Sequence, residues 1–240
     1  MDSERVFLTA EWRYLAMLNY EVDASLLLQY VPAGTELDRW NGKVFVSLVG
    51  FRFLKTRVLG LTIPFHANFD EVNLRFYVRR QADDEIRRGV VFIREIVPRR
   101  AIAFVARTIY HENYIALPMS HEIRTSGDNT LTVAYRWRAS GSWSWINIDT
   151  QGGPELAQDG SHEQFITEHY WGYATQSDGG CVEYRVTHPA WRVWRAHRAE
   201  LEGNVEELYG RNIAAALRGV PASALLADGS EVTVMRGRRI

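Results

Sequence analysis

The sequence predicts a mainly β, α+β fold in which one antiparallel sheet carries small helices at its periphery. Between residues 44 and 138, runs of β-branched and aromatic residues follow one another with no helical pattern between them. Successive strands of this kind pair antiparallel, whereas parallel winding needs a helix between them. No internal repeat and no linker interrupts the chain, so residues 1–240 are interpreted as one domain.

The first forty residues predict two short helices. Thr9 is a suitable N-cap for one helix, and Asp23 for a second over residues 24–30. Asn41-Gly42 is the dipeptide most suited to a tight hairpin, because both residues tolerate a positive φ angle. We therefore expect a strand on each side of that turn.

Two of the strand runs differ in their patterns. Residues 44–53 are apolar at both parities, which is typical of a strand covered on both faces. Residues 71–80 alternate, so that one face is apolar and the other polar. Further strands are predicted over residues 90–97, 101–114 and 131–138, the last following a turn at 126–129.

The C-terminal half has a more mixed character. Residues 140–160 predict irregular strand and loop, and residues 191–202 are compatible with a helix or with extended chain. Asn204 and Glu207 form a capping box for a helix that ends near Leu217. The remaining predicted strands are 165–175, 182–187 and 232–235.

Composition limits the partners. The net charge is −1 and the isoelectric point about 6.7, so there is no basic field for nucleic acid. Of the 28 lysine and arginine residues, only Lys43 and Lys55 are lysines, which restricts amine chemistry to these two side chains and the N-terminus. Cys181 is the single cysteine, and no run is long and apolar enough to span a bilayer. We expect a cytoplasmic protein without a membrane or nucleic-acid partner.

The most informative segment lies in the alternating strand. Glu71, Asn73 and Arg75 stand about 7 Å apart in succession on one strand face. Facing an enclosed interior, they would bind a small polar molecule, with Arg75 holding an anionic group and Glu71 available for proton transfer. The alternative is a solvent-facing strand side, where a Glu/Arg pair contributes about 0–1 kcal/mol.

A second group of polar side chains closes the 101–114 run. Tyr110, Glu112 and Tyr114 share one strand parity. Burial would raise the pKa of Glu112 beside the tyrosine hydroxyls and suit it to act as an acid. Structural tyrosines at a strand end are the alternative.

The pattern predicts no metal and no cofactor. Histidine and glutamate adjoin at four places, but adjacent strand residues face opposite ways, and no His-Glu-x-x-His spacing occurs. A glycine-rich phosphate loop and a Gly-x-Ser-x-Gly elbow are also missing from the sequence. The four pairs are His111-Glu112, His121-Glu122, His162-Glu163 and Glu168-His169.

Several segments together resemble the YqjF-like family, the bacterial domain of unknown function 2071. The most specific is Glu71-Val72-Asn73-Leu74-Arg75. This family is similar in fold to acetoacetate decarboxylase, so the resemblance implies a cone-shaped antiparallel β-barrel around an interior pocket, with helices outside. The other matching segments include residues 31–38, 46–51, 89–92, Pro118-Met119 and His188-Pro189 with Trp191.

The resemblance also marks a departure. Acetoacetate decarboxylase forms a Schiff base on a lysine that follows a Gly-Tyr-Pro turn. The most similar stretch here, Ala116-Leu117-Pro118-Met119-Ser120, has no amine. Glu71 and Glu112 resemble the pocket carboxylates of that superfamily. Schiff-base decarboxylation is therefore not predicted.

The leading hypothesis is a barrel pocket that binds a small anionic or carbonyl-bearing metabolite. Its predicted lining is Glu71, Asn73, Arg75, Tyr110 and Glu112. One alternative is a lyase, hydratase or aldolase-like enzyme that uses pocket carboxylates without a lysine. Another is a protein-interaction module, with Trp143 and Trp145 on an exposed patch.

Overall fold

The computed structural model describes residues 5–83, 85–99, 101, 113–127 and 130–240, and most of them lie in strands. The strands are β1 (Val6–Val22), β2 (Glu36–Leu37), β3 (Val44–Val58), β4 (Phe69–Ala82), β5 (Glu85–Val97), β6 (Tyr114–Ala116), β7 (Met119–Thr125), β8 (Leu131–Ala139), β9 (Ser142–Thr150), β10 (Glu155–Leu156), β11 (Trp171–Thr175), β12 (Cys181–Thr187), β13 (Arg192–Glu202), β14 (Ser223–Met235) and β15 (Arg238–Arg239). The helices in this part of the chain are α1 (His162–Thr167) and α2 (Glu206–Leu217). The predicted mainly β class is confirmed.

Seven strands close into a ring. Their order is β1, β3, β4, β5, β11, β12 and β14, and β14 pairs with β1 again. Neighbours are antiparallel except where β5 meets β11, a short parallel joint of Gly89 with Trp171 and Val90 with Gly172. The sheet is therefore antiparallel as predicted, apart from this joint and the parallel pairing of the short β6 with β5.

A second layer covers part of the ring from outside. Beyond β14 the sheet continues through β13, β9, β8 and β7, and Tyr135 and Ile146 of this extension pack against Gly50 of β3. Helix α2 joins the same apolar cluster through Leu208 and Ile213. The ring thus has an outer core beneath this layer and an inner core of its own.

Strand β4 separates the two cores. Val72, Leu74, Phe76 and Val78 belong to the outer cluster, so the predicted apolar face is correct. The opposite face is buried as well: Glu71 and Asn73 are 2% exposed and Arg75 is 8% exposed. The solvent-facing alternative for these three residues is wrong, because the ring closes over their side.

The predicted helix after Thr9 is also wrong, since these residues lie in β1. Trp12 and Leu15 share a face although they are three positions apart. Tyr14 has a φ of 55°, and the pairing of β1 with β3 shifts register between Arg13 and Ala16. This bulge adds one residue to the strand, so the spacing of three imitates a helical pattern.

Several other predicted elements have a different conformation or different ends in the structure. Residues 24–30 form two short 3₁₀ turns, Ala24–Leu26 and Leu28–Tyr30, and residues 165–167 end α1 instead of starting a strand. Residues 142–150 are the regular strand β9, not irregular chain, and the 191–202 segment is extended as β13.

The predicted turn at Asn41-Gly42 is confirmed, but of the two strands expected beside it only β3 forms, because the residues just before the turn make an isolated bridge. Asn41 and Gly42 have φ angles of 50° and 79°, and Trp40 pairs with Lys43 across the turn. The predicted end of α2 at Leu217 is confirmed, but the capping box is wrong. The N-cap is Val205, and Glu207 accepts a hydrogen bond from Ser140 Oγ. Asn204 Oδ1 accepts a hydrogen bond from the Glu206 amide at 3.0 Å. None of the helices in the described ranges is long and apolar enough to cross a membrane.

Candidate functional site

The ring encloses a cavity of about 320 Å³. All seven ring strands contribute side chains to its wall, most of them apolar or aromatic. A concave, largely apolar space with a few convergent polar groups is the usual form of a small-molecule site. Strand β4 carries three polar side chains into the cavity, Glu71, Asn73 and Arg75, and β5 adds the buried carboxyl group of Glu95.

Neighbouring strands set the height of each polar group. On β3, Phe51 lies opposite Glu71, and Val49 opposite Asn73. On β5, Phe92 lies opposite Arg75. The other two neighbours are polar and buried: Ser47 of β3 lies opposite Arg75, and Glu95 of β5 lies opposite Asn73. The row is therefore flanked by apolar side chains and by one further carboxyl group, in a buried setting where each charge acts more strongly than in water.

Glu71 is held by two donors. Asn73 Nδ2 donates to Glu71 Oε1 at 2.9 Å, and the Tyr114 hydroxyl donates to Oε2 at 3.0 Å. Burial raises the pKa of Glu71 to about 7, against the lowering effects of these two hydrogen bonds and the charge of Arg75. Glu71 is thus poised to give or take a proton near neutral pH.

Arg75 carries a buried charge that makes no salt bridge with the described residues, although it interacts electrostatically with Glu71 on the same strand face. Its Nη2 donates to the carbonyl oxygen of Ile166 at 3.2 Å, and its Cζ lies 5.8 Å from the centre of the Tyr77 ring. No carboxylate of the described ranges lies within salt-bridge distance of it, and Nε has no hydrogen-bond partner there. Asn73 Oδ1 likewise lacks a partner among these residues.

Beyond Arg75, helix α1 and the side chains of Tyr77 and His169 close the cavity. Phe165 packs on Tyr77 with ring centres 5.1 Å apart, and the Tyr77 hydroxyl hydrogen-bonds Ser47 Oγ. His169 lines this end, and its Nε2 lies 3.4 Å from Asp38 Oδ2. Burial lowers the pKa of His169 to about 4, so this ring is neutral at pH 7.

Five aromatic side chains line another side of the cavity. This aromatic wall consists of Phe69, Phe53, Phe51, Trp12 and Trp191. Phe69 stacks on Phe53 at 4.5 Å between ring centres, and Phe53 contacts Phe51 at 5.1 Å. The Trp12 ring contacts both Phe51 and Trp191, with ring centres 5.4 Å and 6.3 Å apart, respectively. His188 stacks on Trp191 at 4.0 Å and also lines the cavity.

Neither lysine reaches the cavity. Lys55 is exposed and pairs with Glu11 Oε1 at 2.5 Å, and Lys43 pairs with Glu21 Oε2 at 2.6 Å. Met119, in the stretch similar to the lysine turn of acetoacetate decarboxylase, packs against the outer cluster. The cavity therefore has no lysine amine to form a Schiff base.

The other predicted site residues have different outcomes. Tyr110 and Glu112 lie outside the described residues, whereas Tyr114, grouped with them by parity, contacts Glu71. His169 and Trp191 were not predicted as site residues, because each reaches the cavity from a loop, where no strand alternation indicates the side to which a residue points. Among the residues that the structure describes, no three histidine, cysteine, aspartate or glutamate side chains gather as metal ligands would.

Most of the chain matches the model of one protein family. A model described as an uncharacterized conserved protein, domain of unknown function 2071 (DUF2071), matches residues 9–231. The chain belongs to this family. The uncharacterized protein YqjF of Bacillus subtilis (strain 168) is 28% identical over 195 residues, which are 81% of this chain and 76% of that protein.

Solved structures place the DUF2071 chain among acetoacetate decarboxylase-like folds. Acetoacetate decarboxylase from Legionella pneumophila superposes with a TM-score of 0.69 at 14% identity, covering 100% of this chain and 90% of that one. The enduracididine biosynthesis enzyme MppR, complexed with pyruvate, superposes with a TM-score of 0.69 at 12% identity. The match covers 98% of this chain and 90% of that one. At these identities the likeness establishes the fold alone.

Proposed function

We propose that this protein binds a small metabolite bearing a carboxylate, and often a carbonyl group, in the cavity of the ring. One observation carries the proposal: Arg75 is 8% exposed, faces the cavity, and makes no salt bridge with a carboxylate of the described residues. A buried charge without a counter-ion is costly, and an anionic ligand relieves that cost.

The geometry suits a carboxylate. A guanidinium presents parallel N–H groups that bind both oxygens of a carboxylate. Arg75 uses one donor on the Ile166 carbonyl, which fixes the side chain and leaves further donors for a ligand. MppR, a fold neighbour of the DUF2071 chain, has been crystallised with pyruvate, a keto acid, and this supports the same ligand class here.

The test replaces Arg75 with methionine, which keeps much of the side-chain volume and removes the charge. Affinity for carboxylate ligands, found by a thermal-shift screen of organic acids, should fall at least tenfold, or about 1.4 kcal/mol. Arg79→Met is the matched control, because Arg79 lies on the same strand but is exposed and paired with Glu36. Unchanged affinity in Arg75→Met would remove Arg75 from the site.

A second candidate is an enzyme that moves a proton next to a carbonyl group. The pKa of Glu71, raised to about 7 by burial, favours it, and Tyr114 and Asn73 hold the carboxyl group in place. Such a lyase, hydratase or aldolase-like reaction uses Glu71 as acid or base without a covalent amine.

Exchange of solvent deuterium into keto acids, followed by NMR, tests this candidate. The wild-type protein should catalyse exchange that Glu71→Gln loses by about 100-fold or more, and borohydride should trap no more adduct on Lys55 than on Lys43. Equal exchange rates in Glu71→Gln would exclude Glu71, and a selective adduct on Lys55 would restore Schiff-base chemistry.

The remaining expectations stay predictions. Trp143 is 43% exposed and Trp145 half-buried on β9, and nothing else at that strand favours an interaction module. A cytoplasmic location and the lack of a nucleic-acid partner rest on composition.

A further inference from the structure

The position of Arg75 within the cavity restricts the ligand further. Arg75 lies beside α1, and the side chains of Tyr77 and Phe165 fill the interior of the ring on that side of Arg75. Phe69 lies six residues earlier on β4, which corresponds to about 20 Å along the strand. The charge is therefore at one end of an elongated space.

The opposite end is mainly apolar, with Thr56 and His66 as its polar lining residues. There Phe7 and Leu8 of β1 and Val58 of β3 meet Val186 and Val234, and all five line the cavity. No side chain of this group can pair with a charge. A ligand that fills the cavity must therefore expose apolar surface over most of its length.

The apolar surface continues outside. The segment between β3 and β4, residues 59–68, contributes Ile63 to the cavity wall and leaves Leu61 and Phe65 exposed, Phe65 by 86%. Exposed apolar side chains next to a cavity are typical of a ligand-binding surface. The end of the cavity far from Arg75 is thus adapted to hydrophobic groups.

We infer that the ligand is a hydrophobic carboxylic acid whose carboxylate pairs with Arg75 and whose aryl or alkyl body lies along the aromatic wall. This inference rests on the proposed function and narrows it. A three- or four-carbon keto acid would occupy the Arg75 end and leave the rest of a 320 Å³ cavity unfilled. Cavities of this size suit considerably larger ligands.

Isothermal titration with three matched compounds tests the inference. Butyrate has the head group without the body, 4-phenylbutyramide has the body without the charge, and 4-phenylbutyrate has both. We expect 4-phenylbutyrate to bind about 100-fold more tightly than butyrate, because it buries a phenyl ring, and at least tenfold more tightly than the amide.

A variant tests the position of the body. Val58→Trp narrows the apolar end and should weaken 4-phenylbutyrate at least tenfold while leaving butyrate unchanged. Ile86→Trp is the control, because Ile86 is an exposed apolar residue of β5 that does not line the cavity. Thermal unfolding of both variants checks that they fold.

The outcomes separate the two proposals. Equal affinity for butyrate and 4-phenylbutyrate, or equal loss of both in Val58→Trp, would overturn the hydrophobic body and leave carboxylate binding intact. Binding of the amide as tightly as 4-phenylbutyrate would overturn the role of Arg75, and with it the proposed function. Failure of both acids to bind at millimolar concentration would overturn both.

Discussion

At the scale of single residues, Glu71 and Arg75 show how the same burial has different effects on two charges. Burial raises the pKa of Glu71 to about 7, so the carboxyl group is protonated and neutral below that pH. An arginine cannot lose its proton in this way, and its charge persists in the cavity. The pair therefore offers one fixed cation and one proton that can be exchanged.

The pKa of Glu71 predicts a pH-dependent stability. Between 4.5, its ordinary value, and about 7, the folded protein keeps a proton that the unfolded chain releases. The stability from this group is thus complete below pH 4.5 and is lost as the pH rises through 7.

Urea unfolding of wild type and Glu71→Gln measures this effect. From pH 5 to pH 8 the wild type should lose roughly 2 kcal/mol relative to Glu71→Gln, from 1.36 kcal/mol per pKa unit. Taking the difference cancels the opposite trend of His169, whose lowered pKa costs stability as the pH falls from 6.5 towards 4. A constant difference between pH 5 and pH 8 would show that Glu71 is ionised in the folded protein.

At the scale of elements, glycine determines where strands can approach. The parallel joint of β5 with β11 consists of two residue pairs. A Cβ atom added to Gly89 would lie 2.6 Å from the carbonyl oxygen of Trp171 and 2.7 Å from the Tyr173 ring. The first of these is a backbone atom that cannot rotate away, so the joint requires glycine.

Gly89→Ala should therefore lower the free energy of unfolding by about 1–3 kcal/mol, the usual cost of overpacking. Gly153→Ala is the control, because an added Cβ atom there meets nothing within 4 Å. Chemical denaturation of the two variants compares them. Equal stability would mean that β5 and β11 can separate without cost.

At the scale of the whole molecule, the ring decides which chemistry is available. The two lysines lie outside it in ion pairs with Glu11 and Glu21. The fold is shared with acetoacetate decarboxylase, yet the amine on which that enzyme depends has no counterpart in the cavity. The DUF2071 chain keeps the enclosed space and fills its wall with an arginine, a carboxyl group of raised pKa and aromatic rings.

Local patterns in the sequence were sufficient for the strands β3, β4 and β5, the Asn41-Gly42 turn and the end of α2, because each depends on near neighbours. The helical spacing of Trp12 and Leu15 gave a wrong prediction, because only the pairing of β1 with β3 reveals the bulge at Tyr14.

The alternation over residues 71–80 by itself determined that Glu71, Asn73 and Arg75 share one face, since side chains of a strand point alternately to its two sides. Whether that face meets water or an enclosed space was decided only by the tertiary structure. Closure of the ring brings together β1, β4, β12 and β14, which are far apart in the chain, and no local pattern records such contacts. The same closure buried Arg75 without a salt bridge to any residue that the structure describes, and it placed both lysines outside.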